Sequence, residues 1–236
     1  MARPANAQLL TSMLDAVLIE WENVLVDTRS ARRDALVRAF AEEGLRFDQS
    51  RWFTECHGHP LEGAVASALS HAGQADEPLA ELLVMRASRA FAEQIGKGFV
   101  LLPGARAFVE QAQLGPPLGI VTFATRAETE FVLRLAGLEG AVSTVVCATA
   151  VEEARATYER ALKQLGARRS TRSDHTVAFA HIALALRGAR AAGVRTVAVG
   201  AAAHDALEAD GVVASIDGLT LTEIARVAGL APEQLP

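Results

Sequence analysis

The sequence predicts an α/β protein, a parallel sheet with helices on both faces, interrupted near its start by an all-helical insertion. Three features carry this. From Leu118 onward, short apolar and β-branched runs alternate with stretches of helical spacing. Far upstream, Ala16-Val17-Leu18-Ile19 forms a buried-strand pattern that stands alone. Between the two, residues 29–97 show helical periodicity and polar breaks but no strand pattern. Repeated β–α–β units imply parallel pairing, because each helix carries the chain back to the same end of the sheet.

The first strand is expected over 16–20. After it, Ala31, Ala35, Leu36, Ala39, Phe40 and Leu45 recur at helical spacing, with Gly44 a natural stop. Two more helices follow at 60–71 and 79–95, separated by the polar break Gly73-Gln74-Ala75-Asp76-Glu77-Pro78. The core resumes at Phe99, and Leu101-Leu102-Pro103-Gly104 opens a helix reaching Gln113. Strands are then expected at 118–122, 142–147, 176–180 and 195–199, with helices at 126–136, 151–165 and 183–192. A short strand at 212–215 and a helix at 221–228 close the pattern. The expected organisation is a discontinuous core, 1–28 with 98–236, around a helical segment, 29–97.

Composition removes several function classes. With 23 basic and 28 acidic side chains the formal charge is −5, which gives no general attraction for nucleic acid. No stretch is long and apolar enough to span a membrane, and the first 13 residues lack the apolar core of a secretion signal, so a cytoplasmic protein is expected. Cys56 and Cys147 lack metal-ligand spacing and read as idle or buried thiols. Lysine occurs only at Lys97 and Lys163.

Chemistry concentrates where the first strand ends. Glu20 and Glu22 stand at i and i+2, so an extended backbone points both carboxylates to one side, at the end where open α/β sheets bind ligands. The run Glu20-Trp21-Glu22-Asn23-Val24-Leu25-Val26-Asp27-Thr28 resembles the nucleophile motif of the haloacid dehalogenase (HAD) superfamily, D-x-D-G-V-L-V-D-T/S in its β-phosphoglucomutase and phosphoglycolate phosphatase branch. Both family aspartates are glutamates here, and the glycine is Asn23. Leu101 to Gly104 and Ala185 to Val194 resemble further framework segments of the same family, so the likeness runs from Ala16 to about Gly229. It implies a Rossmann-like core with a helical cap at 29–97 whose lid motion shields the site from water.

The resemblance also assigns positions. Glu20 stands at the nucleophile, where the extra methylene displaces the carboxylate; about 1 Å of misplacement can cost on the order of 100-fold. Glu22 stands at the acid/base, where a proton relay tolerates more slack. Thr122 matches the phosphate-binding Ser/Thr, although Phe123 and Ala124 thin the polar cradle after it. Anchoring on Tyr158 places Glu152 at the family lysine, a reversal of charge, with Arg155 one turn further on. His181 replaces a metal-ligand aspartate, and magnesium prefers hard oxygen ligands to imidazole. Asp205, one strand later, approaches the same edge or caps a helix.

With framework kept and signature positions changed, the sequence leads to a HAD-like hydrolase fold without intact catalytic residues, a pseudoenzyme that binds a small ligand or protein partner as a monomer or homodimer. No cofactor is expected, and magnesium least of all. The alternative is a phosphatase- or phosphomutase-type hydrolase with Glu20 as nucleophile, or a hydrolase whose Glu20, Glu22, Glu152 and His181 hold manganese, iron or zinc. The cap-loop histidines in His57-Gly58-His59-Pro60 and the arginines Arg29, Arg32, Arg33 and Arg38 receive no assigned ligand.

Overall fold

The computed structural model describes residues 14–52, 56, 59–148, 153–167, 171–200 and 209–230. Strand β1 (Ala16–Ile19) is central and wholly buried, as an apolar run flanked by strands on both sides requires. It pairs in parallel with β4 (Leu118–Thr122) on one side and β6 (Thr176–Ala180) on the other. Strand β5 (Thr144–Cys147) lies outside β4, while β7 (Arg195–Val199) and β8 (Gly211–Val213) extend the other flank. The order is β5-β4-β1-β6-β7-β8, with every pairing parallel.

Strand ends depart from the expected bounds for local reasons. β1 ends at Ile19; Glu20 still donates its N–H to Phe179 O of β6 at 2.9 Å, after which the chain leaves the sheet. β5 starts at Thr144 rather than 142 because a 3-10 turn, Glu139–Ala141, occupies the approach. β8 covers 211–213 rather than 212–215.

The sequence reading missed a second, two-stranded sheet, in which β2 (Val26–Asp27) pairs antiparallel with β3 (Val100–Leu101). Strands of two residues are too short to display a period. Their pairing joins the two ends of the helical insertion, which leaves the core just after β2 and returns just before β3.

Within the insertion lie α1 (Arg29–Glu42), α2 (Leu61–His71) and α3 (Glu77–Lys97). The start of α3 is written in sequence: the Asp76 side chain accepts from Leu79 N at 3.0 Å, and Pro78 sits in the first turn. These helices bury their own cluster, including Leu36, Phe40, Phe47, Trp52, Val65, Leu69 and Leu83. Ala31 and Ala35 of α1, with Ala90, Phe91 and Ile95 of α3, instead join the main core beside Val24 and Leu25. The insertion is thus seated on the sheet as well as packed on itself.

Helices α4 (Ala105–Gln113), α5 (Arg126–Ala136), α6 (Ala154–Gly166), α7 (Ala183–Ala191) and α8 (Leu221–Val227) cover the sheet. The α6 start expected at Val151 lies partly outside the described residues. Gly104 precedes α4 at φ +77°, and a Cβ there would stand 2.3 Å from Asp217 Cα, so only glycine fits this turn. Gly188 has a different cause: a Cβ would meet Ala154 Cβ at 2.8 Å. The small residues of α7 therefore permit close packing against α6, not only against the sheet.

Candidate functional site

The carboxyl ends of β4, β1 and β6 lie side by side, and the residues that follow them form one edge. Glu20 follows β1, Thr122 ends β4 and His181 follows β6, so three segments far apart in sequence meet there. Glu152 and Asp205 lie outside the described residues, as does His57. Between this edge and the helical insertion is a pocket. Glu20, Glu22, Asn23, Phe123 and Ile182 line its core side, and Arg32, Leu36, Trp52, His59 and Leu61 its helical side.

Glu20 is 4% exposed. Its Oε2 accepts the backbone N–H of His181 at 2.8 Å, so β6 fixes the carboxyl through main chain, not through the imidazole. Burial pushes the Glu20 carboxyl up to about 8, opposed by that N–H and reinforced by the Glu22 charge. At neutral pH this group holds its proton. The His181 ring faces elsewhere: its Nδ1 lies 2.9 Å from Val199 O, which can only accept, so Nδ1 carries the hydrogen.

Two residues on, Glu22 is balanced by charge. It accepts from Thr28 Oγ1 at 3.2 Å and from Arg32 Nε at 2.9 Å. The Arg32 Nη1 lies 2.9 Å from Glu128 Oε2, and the guanidinium stacks over Phe91 at 3.9 Å. The flanking carboxylates hold the Arg32 guanidinium more firmly protonated than usual, against the opposing effect of burial. Glu128 is fixed independently by a capping box: its backbone N–H bonds Thr125 Oγ1 and its carboxylate accepts Thr125 N–H. Three buried polar atoms here have no hydrogen-bond partner among the described residues, Arg32 Nη2, Glu128 Oε1 and Asn23 Oδ1.

Thr122 is fully buried, and its Oγ1 accepts from Ala124 N at 3.1 Å. The pocket wall at that point is made by Phe123 and Ala124. Trp21, between the two glutamates, turns into the core and donates Nε1–H to Thr129 Oγ1 at 3.1 Å.

A haloacid dehalogenase-like hydrolase family model matches residues 21–199. The chain belongs to that family. Among solved structures, CbbY from Rhodobacter sphaeroides in complex with phosphate superposes with a TM-score of 0.79 at 21% identity, covering 89% of this chain and 99% of that one. β-Phosphoglucomutase from Clostridium difficile gives 0.79 at 14% identity, covering 92% and 97%. The putative HAD hydrolase YfnB from Bacillus subtilis bound to magnesium gives 0.59 at 17%, covering 79% and 89%. These likenesses establish the HAD fold. No curated protein matches the chain.

HAD proteins ordinarily use magnesium, and the donors described here fit it poorly. Glu22 Oε1 already accepts from Arg32 and Thr28, so a positive charge stands where a cation would approach, and the His181 ring is bonded to Val199 O through Nδ1. No group of three or more His, Cys, Asp or Glu gathers in metal-binding geometry among the described residues. Sequence reasoning named Glu20, Glu22, Thr122 and His181 for the site, left Arg32 without an assigned ligand and did not name Glu128. A signal for Arg32 existed. It lies three residues before Ala35 and four before Leu36, both on the buried face of α1, and Thr125-Arg126-Ala127-Glu128 is a readable capping box.

Proposed function

We propose that this HAD protein is a phosphatase- or phosphomutase-type hydrolase acting on a small phosphorylated molecule, with Glu20 as the nucleophile and residues 29–97 as the cap over it. Family membership and the phosphomutase and phosphate-bound neighbours favour this alternative over the loss of chemistry expected from the substituted motifs. The observation that carries it is Glu20 on the floor of a pocket at the carboxyl edge of the sheet, held by the His181 N–H. In such a reaction the ionised Glu20 carboxylate attacks phosphorus as the P–O ester bond breaks, the departing alkoxide takes its proton from water, and a second water hydrolyses the acyl phosphate, releasing phosphate and restoring the carboxylate. Only the ionised carboxylate can attack, so turnover rises with pH through about 8, where Glu20 ionises.

The test is a panel of sugar phosphates and an aryl phosphate assayed from pH 6 to 9.5. Expected is turnover that climbs through pH 8 and disappears in Glu20→Gln. A second reading is favoured by one specific feature, the engagement of Glu22 by Arg32 and Thr28, which removes the acid/base from service. In that case phosphorylated ligands raise the melting temperature at every pH without turnover, and the protein binds without reacting.

A further inference from the structure

The disagreement between this site and a magnesium ion has a structural cause, found on helix α1. We propose that Arg32 is the resident cation of the site, its guanidinium standing between Glu22 and Glu128 and competing with any divalent ion for Glu22. The guanidinium reaches the two carboxylates through different nitrogens, Nε and Nη1, each at 2.9 Å. A planar fork suits that bridging, and a lysine cannot reproduce it. The side chains of Arg32, Glu22 and Glu128 are only 14%, 16% and 5% exposed, so water screens little of the attraction. Phe91 covers one face of the guanidinium and blocks withdrawal in that direction. Neither lysine is among the residues lining the pocket; Lys97 lies in the last turn of α3 and Lys163 in that of α6.

Arg32 and Thr28 both bond Glu22 Oε1, so a divalent ion approaching the same carboxylate meets the guanidinium charge and binds weakly unless Arg32 is displaced toward Glu128. Because α1 belongs to the helical insertion and Glu128 to the sheet-covering helix α5, the same side chain also ties the two together.

The probe is manganese chloride titrated against the full chain, with free Mn²⁺ followed by electron paramagnetic resonance. Wild type is expected to leave Mn²⁺ free at millimolar concentration. Arg32→Met should bind a single ion roughly 10- to 100-fold more tightly, the range over which groups around a metal set its affinity. Adding Glu22→Gln to Arg32→Met should abolish the gain. If Arg32→Met does not fold, Arg32→Lys carries the test, with a smaller gain because one carboxylate is released. Stoichiometric Mn²⁺ binding by wild type, no gain in the folded variants, or a gain that survives Glu22→Gln overturns the proposal. Failure of the hydrolase reading appears in turnover and not in manganese uptake, so the two are distinguishable.

Discussion

Two carboxylates, separated by one residue at the end of β1, are made tolerable in opposite ways. Glu20 faces β6, is buried against main chain and keeps a proton. Glu22 faces α1 and is balanced by Arg32, which Glu128 shares. Burial alone did not decide between these outcomes. What differs is the partner each corner supplies: a backbone N–H stabilises a carboxyl without cancelling its charge, whereas a guanidinium cancels it. In one motif, therefore, a carboxyl able to ionise lies beside a carboxylate locked as a salt bridge.

The largest effect should come from removing the proton dependence of the Glu20 corner. Its folded value lies above the ordinary 4.5, at about 8, so the folded state binds a proton that the unfolded state releases. The stabilisation is complete below pH 4.5, declines as pH rises and is gone above about 8. Every tenfold gain in proton affinity on folding corresponds to about 1.4 kcal/mol, which sets an upper bound of about 5 kcal/mol. Glu20→Gln keeps the acceptor for His181 N–H and cannot ionise. Its unfolding free energy relative to wild type should rise steadily between pH 5 and 8 in urea titrations. A constant difference would show that Glu20 is ionised in the folded protein, and the contrast with Glu22 would collapse.

Breaking the other corner sharpens the contrast. Arg32→Met keeps the apolar stem over Phe91 but leaves Glu22 and Glu128 buried without a cation. Loss of one partner from a buried pair typically costs about 3–5 kcal/mol. The denaturation midpoint at pH 7 should fall accordingly. A change below about 1 kcal/mol would mean that water, not Arg32, solvates Glu22.

These corners also mark where sequence reading succeeds and fails. The strand body was legible because Ala16–Ile19 is buried on both sides and can be nothing but apolar. Arg126–Ala136 was legible at both ends because its Thr125–Glu128 capping box and Gly137 are local signals. The chemistry at the edge was legible only as positions. That Glu20 meets the His181 N–H across 161 residues, or that Arg32 belongs to Glu22 and Glu128, is set by topology and not by spacing. The β2–β3 pairing escaped for the same reason, each strand being too short to show a pattern.

A smaller effect tests the residue between the two glutamates. Trp21 is fully buried and anchors the loop through its Nε1–H to Thr129 Oγ1. Trp21→Phe removes that hydrogen bond and leaves a small void, a cost of about 1–3 kcal/mol. Because both corners hang from this anchor, the pH dependence of Glu20 should weaken along with the stability. An unchanged pH profile would show that each corner is held by its own partners alone.

The smallest effect concerns Asn23, which stands where the family motif carries glycine. It adopts φ +59°, the left-handed region that side chains other than Asn and Asp visit at a cost. Its backbone N–H bonds Val26 O at 2.7 Å, which closes the turn. Its buried Oδ1 has no hydrogen-bond partner among the described residues. Asn23→Gly would relieve the backbone and remove the orphan acceptor, offset by the greater freedom of glycine in the unfolded chain. The net expectation is a gain of up to about 1 kcal/mol in urea unfolding at pH 7. Should the variant lose stability instead, Oδ1 has a partner in solution, an ordered water or a ligand group. Repeating the unfolding with inorganic phosphate present separates these two: a ligand role makes the stabilisation by phosphate smaller in Asn23→Gly than in wild type, whereas a structural water leaves it equal.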